Sequence, residues 1–364
     1  MPELPVVEVA GPPKAMGEAF GEQCREGARD LTESRMDHLA GFVERHSPGR
    51  GVSRRSILDL VALTVPAHQQ FDADVWAEFE GIARGANLRI EELLVGNGYT
   101  DFRDFVLLEG RGTGEGGGDH LGECSALLVP GGLADGQPIV GQTWDMNADA
   151  GPFLVVVHRK PSDAPETLGL TTTGCLCLIG MNSEGVSVGN TNLIPTDARV
   201  GVNYLFTITH ALKSGSAEAA ADAIEATPRL SGHNYYAADS SMVINMETTA
   251  RRSKRTVPGE GVFVHTNHYL DDELRPFEIE SYDWTNTCWR YETLSDGVGR
   301  LGEPVTMPDC WEQLSAVTQD KVGDGNATVR GAATLGAIVQ CPGRRTLHIC
   351  AGLPAPGNAT VFEI

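Results

Sequence analysis

Along residues 14–98 apolar side chains recur every three or four positions, and Ala15 to Leu31, Glu33 to His46, Arg54 to Phe71 and Asp74 to Ala86 read as amphipathic helices. Gly17 and Gly21 would let two of these helices approach closely. From Arg111 to Glu123 the pattern fails: six of thirteen residues are glycine and almost nothing there can be buried, so a loop is expected. The loop lacks the Lys-Ser/Thr ending of a phosphate cradle. Directly after it the period shortens to two. Cys124 to Val129, Gln137 to Trp144, Phe153 to Arg159 and Leu168 to Ile179 read as strands joined by Pro-Gly-Gly and Asp-Gly turns. Helical spacing returns at Tyr204 to Lys213, Ala217 to Ala226 and about Thr287 to Leu301. Further strands are expected near Ser241 to Met246, Gly261 to His265, Ala333 to Gln340, Thr346 to Cys350 and Ala359 to Glu363. Many strands with short turns and segregated helices predict an α+β architecture of antiparallel sheets layered with helices.

Composition narrows the function more than the fold. The 364 residues include 41% hydrophobic side chains, enough for a sizeable core, and a formal charge of −21 from 49 acidic against 28 basic residues. That field repels phosphate backbones and anionic lipid, so neither nucleic acid nor a membrane is an expected partner. The first residues carry no positive, then apolar, leader pattern, and no stretch approaches the ~18 apolar residues of a membrane span, which predicts a soluble, cytoplasmic protein. Eight cysteines are scattered without a repeated CxxC pair and are expected to be reduced, mostly buried packing residues. Cys175-Leu-Cys177 would face one side of a strand within the core. His265 and His268 would point to opposite faces of a strand with no third ligand nearby, so no metal is expected. Oligomerisation is left open.

One cysteine stands apart. Cys124 sits where the glycine-rich segment meets the first strand of the sheet, so that cutting the chain there would disturb little packing. As an N-terminal residue it would carry its own base, because the new α-amino group, with an ordinary pKa near 8, can take the thiol proton. The thiol could first attack the Glu123 carbonyl, shifting the acyl group from nitrogen to sulfur before hydrolysis frees the amine.

The blocks Glu123-Cys-Ser-Ala-Leu-Leu-Val-Pro130 and Asp135-Gly-Gln-Pro-Ile-Val-Gly-Gln-Thr-Trp-Asp145 resemble the isopenicillin N acyltransferase family of self-processing cysteine hydrolases. Gly180-Met-Asn-Ser-Glu-Gly-Val186, Val264-His-Thr-Asn-His-Tyr-Leu270 and Thr328-Val-Arg-Gly-Ala-Ala-Thr-Leu-Gly-Ala-Ile338 are similar to further family blocks, in the family's order. The resemblance implies the four-layer αββα sandwich of N-terminal-nucleophile hydrolases. Residues 1–123, a helical segment, would become a small chain, and residues 124–364 a nucleophile-bearing large chain, together forming one domain. It further implies Asp145 as the carboxylate beside thiol and amine, Asn267 as an oxyanion donor, Arg330 as a fixed positive charge beside the nucleophile or substrate, and no cofactor. Val329 before that arginine, Ser125 and Glu123 depart from the family pattern. Trp144, His265 and His268 are candidates for the substrate pocket, with packing as the alternative for each aromatic. The expected activity is hydrolysis of a linear amide (an N-acyl amino acid, a peptide-like compound or an acylated amine) through an acyl-Cys124 thioester. The alternative is transfer of that acyl group, from acyl-CoA or an amide, to an amine. A pure binding scaffold and a metal hydrolase at His265 and His268 are competing readings.

Overall fold

The computed structural model describes residues 4–46, 53–109, 123–280, 284–318, 332–355 and 357–364. Among the described residues, strand β1 (Val6–Gly11) comes first and is followed by helices α1 (Pro13–Gln23), α2 (Arg25–His46), α3 (Arg54–Ala62), α4 (Val65–Phe71), α5 (Ala73–Ala86), α6 (Ile90–Asn97) and α7 (Tyr99–Glu109). The expected single helix from Arg54 to Phe71 is two, because Pro66 has no N–H for the i→i−4 ladder and the chain restarts at Val65. Helices α1 and α5 cross with Gly17 and Gly21 against Gly81 and Gly85. A Cβ built at any of the four would collide with backbone of the opposite helix. The close approach expected of Gly17 and Gly21 is therefore real, and its second half lies in α5.

Among the described residues, fourteen strands form two sheets. β2 (Ala126–Val129), β3 (Ile139–Asn147), β11 (Phe263–His265), β12 (Ala332–Cys341), β13 (Thr346–Ala351) and β14 (Thr360–Glu363) make one, in the order β11-β2-β3-β12-β13-β14. The other contains β1, β4 (Leu154–Pro161), β5 (Thr167–Thr172), β6 (Ile179–Asn182), β7 (Ser187–Asn192), β8 (His233–Ala238), β9 (Val243–Thr248) and β10 (Ser253–Thr256), in sequence order after β1 pairs with β4. Every pairing is antiparallel except β1 with β4, which is parallel. The strand expected over Leu168 to Ile179 is broken by a turn in which Gly174 takes φ +76°. Cys175 and Cys177 therefore lie on the connection between β5 and β6, both buried and reduced, and not on a strand.

Alternation along the strands stacks the layers. Ala126, Leu128 and Val140 of the six-stranded sheet pack on Tyr236, Ala238 and Val243 of the eight-stranded one. On the outer face Leu127, Val129, Ile139, Ala337 and Val339 pack on Trp311 and Leu314 of α11 (Met307–Ala316). Arg159 on the far face of β4 reaches Glu78 of α5 at 2.7 Å, tying the N-terminal helices to the other outer surface, which α8 (Tyr204–Ala211) and α9 (Ala217–Ala226) complete. The result is helices, two facing sheets, and helices, the layered α+β fold expected. The N-terminal segment is not wholly helical, since β1 is an edge strand of the large sheet.

Candidate active site

Cys124 lies two residues before β2 begins its pairing, at the point where the chain enters the small sheet. Glu123 already pairs with Asp145 of β3: Glu123 N–H donates to Asp145 O at 3.1 Å, and Asp145 N–H donates to Glu123 O at 2.9 Å. The carbonyl preceding Cys124 is thus held by a backbone donor. The Cys124 N–H donates to Asn267 Oδ1 at 2.8 Å, across a gap of 143 residues. Asn267 is fixed just beyond β11, where its own N–H donates to Thr287 Oγ1 at 2.7 Å and its Nδ2 donates to Asn192 O at 2.9 Å.

Helix α10 (Thr285–Val298) contributes Arg290, whose side chain is wholly buried. One guanidinium nitrogen donates to Cys124 O at 2.5 Å and to Ser125 Oγ at 2.9 Å, and the other terminal nitrogen donates to Asn267 Oδ1 at 2.8 Å. Its Nε donates to Asn286 Oδ1, one turn earlier, at 2.6 Å, and the Glu123 carboxylate lies 3.7 Å away. Asp145 is fully buried and accepts from Thr143 Oγ1 at 3.2 Å, while Thr143 Oγ1 accepts from Ser125 N–H at 3.1 Å. Two carboxylates and one guanidinium therefore surround the bond between residues 123 and 124; Asp145 and Arg290 are held by hydrogen bonds and Glu123 by its ion pair with Arg290, as buried charge requires. In this uncleaved state burial, and then the Asp145 charge, push the Cys124 thiol up to about 12, against the smaller opposing pull of the Asp145 N–H and of Arg290. The thiol is protonated at neutral pH.

Cys124, Asp145, Asn267 and Glu123 meet around one peptide bond. Arg330 lies outside the described residues, as does the glycine-rich segment up to residue 122. His265 is buried with Nε2 on Glu247 Oε1 at 2.9 Å and Nδ1 near Thr191 Oγ1 at 3.0 Å, whereas His268 turns to Thr287 Oγ1 at 3.0 Å. Burial, then the neighbouring His265, lower the His268 pKa to about 4. The two imidazoles thus serve separate networks. Trp144 is almost fully buried and belongs to the main apolar core. Sequence reasoning missed Arg290, Thr143 and Asn192. An arginine inside a helical pattern has the spelling of a surface arginine, and only the placement of α10 over β2 and β11 distinguishes it.

The model of the acyl-coenzyme A:6-aminopenicillanic acid acyl-transferase family matches residues 133–295. The match takes in Asp145, Asn267 and Arg290 and leaves out Cys124 and Arg330, and it bears out the resemblance read from the sequence. No curated protein matches the chain. Among solved structures, a mutant of the conjugated bile acid hydrolase from Clostridium perfringens superposes with a TM-score of 0.49 at 11% identity, covering 66% of this chain and 92% of its own. Penicillin V acylase from Agrobacterium tumefaciens gives 0.43 at 13% identity, covering 66% and 85%. At those values the residues of this chain, and not the neighbours, have to carry the chemistry.

Proposed function

We propose that the protein is a self-processing N-terminal-nucleophile hydrolase that cleaves a linear amide through an acyl-Cys124 thioester. The observation that carries this reading is the Cys124 nitrogen, held at 2.8 Å by Asn267 Oδ1 while the preceding carbonyl oxygen is held at 2.9 Å by Asp145 N–H. Nitrogen and oxygen of one peptide bond, at the head of a strand, each have a hydrogen-bond partner. In self-cleavage the thiol attacks the Glu123 carbonyl carbon, the oxygen takes negative charge against the Asp145 N–H, and the C–N bond breaks with a proton going to the nitrogen. Water then hydrolyses the resulting ester, leaving a Glu123 carboxylate and a Cys124 amine. A well-placed oxyanion donor is worth roughly 3 kcal/mol.

In the mature enzyme Asn267 Oδ1 would orient the free amine, and the amine would take the thiol proton, so no histidine base is needed. Asn267 was expected to offer its NH2 to the oxyanion. In the uncleaved chain the NH2 is on Asn192 O, and the Asp145 N–H fills that place better. Substrate acyl carbon adds to sulfur, its amine leaves protonated, and water releases the acid. Arg330 remains a proposed charge beside the nucleophile. The family match keeps the alternative acceptor, an amine in place of water, as the second outcome. Acid quenching during turnover of acyl p-nitroanilides, followed by mass measurement, should show one acyl group on the peptide beginning at Cys124. Adding amines then separates free acid from new amide. Turnover with no acyl group on Cys124 removes the thioester.

A further inference from the structure

The residue on the acyl side of the self-cleaved bond occupies the place that a substrate acyl group must take later, because one thiol and one oxyanion donor serve both events. Glu123 fills that place with a side chain only 3% exposed, its carboxylate 3.7 Å from the wholly buried Arg290. Arg290 also holds the Cys124 carbonyl and Asn267 Oδ1, which stay in the large chain, so the guanidinium does not depart with Glu123. Asp145 stays too, with its carboxylate engaged by Thr143. A buried guanidinium that loses a partner carboxylate is destabilised unless another anion replaces it. We infer that the acyl subsite of the mature enzyme selects an acyl group carrying a carboxylate at the distance of a glutamate side chain, an α-glutamyl or glutaryl amide. This rests on the thioester reading above and names its substrate class. Hydrolysis is balanced as before: sulfur takes the acyl carbon, the amine leaves with a proton, and water returns the diacid.

The test uses the processed protein. Rates are compared for α-L-glutamyl and glutaryl p-nitroanilides against α-L-glutaminyl and 5-amino-5-oxopentanoyl p-nitroanilides, pairs that differ only in a carboxylate replaced by a carboxamide. The carboxylates should be favoured by about tenfold or more in kcat/KM, as expected for one carboxylate paired with a buried guanidinium. Arg290→Met should erase the preference, and Arg290→Lys should keep part of it. Protection of Cys124 from iodoacetamide by glutarate, compared with pentanoate, gives a readout that needs neither turnover nor a variant. Equal rates with equal protection overturn the inference and leave the thioester reading standing. Absence of an acyl adduct on Cys124 with every substrate overturns that reading itself.

Discussion

Asn267 Oδ1 accepts from both the Cys124 nitrogen and the Arg290 guanidinium, each at 2.8 Å, so one amide oxygen couples the Cys124 nitrogen to the fixed charge of the site. The thiol beside it is held near pKa 12 in the intact chain, chiefly by burial. Its alkylation by iodoacetamide before processing should therefore climb about tenfold per pH unit across the neutral and mildly alkaline range, following the thiolate fraction. In the processed chain the rate should level off at lower pH, since the new amine takes the proton. Identical pH profiles would show that cleavage does not activate the sulfur. Cys124 and Asp145 were singled out by their places at a change of period and a strand end, and Asn267 by the family resemblance; the structure brings the three together. Arg290 and Thr143 were not. Their roles come from strand pairing and helix placement, which join residues 18 and 166 positions apart from Ser125 and Cys124.

At the scale of elements, the N-terminal helices as far as Ala86 and strands β2 to β4 were found, but α7, α11, β7 and β8 were missed. Ser187–Asn192 and His233–Ala238 are buried on both faces and hold asparagine, glycine and histidine in place of a run of branched apolar residues. The α1–α5 crossing depends on absent side chains. Gly21→Ala would drive a Cβ into the Ile82 carbonyl and the Ala86 nitrogen, and should destabilise the protein by about 1–3 kcal/mol in urea titration. An unchanged midpoint would mean that the helices separate freely. His68 ties α4 to α8: its Nδ1–H donates to Thr64 O at 2.9 Å, and its Nε2 accepts the Asn203 N–H at 3.1 Å. Burial lowers its pKa from 6.5 to about 4, against a smaller upward pull from the Thr64 carbonyl. The unfolded chain binds the proton first, so this stability is complete above the unfolded value and is lost as pH falls from about 6.5 through about 4, roughly 3 kcal/mol in all. Urea midpoints across that range should fall less steeply in His68→Gln than in the wild type.

For the whole molecule, the cut after Glu123 would leave both pieces bound into one body. The N-terminal piece supplies β1, registered from Val6 opposite Val156 to Gly11 opposite Pro161, and the Glu78–Arg159 pair, while Asp101 of α7 accepts from Tyr204 N–H at 2.9 Å. These contacts predict that cleaved chains co-elute in size exclusion and part only in denaturant. Separation in native buffer would contradict the single layered domain. Among the described residues no helix is long and apolar enough to cross a membrane, and the acidic surface of a chain with charge −21 fits small-molecule chemistry better than nucleic-acid binding. Intact mass spectrometry of the purified wild type and of Cys124→Ala asks whether Cys124 becomes an N-terminal nucleophile. Two chains meeting at Glu123 and Cys124 are expected in the wild type and one full-length chain in the variant; an uncleaved wild type, or a cleaved variant, would rule that role out.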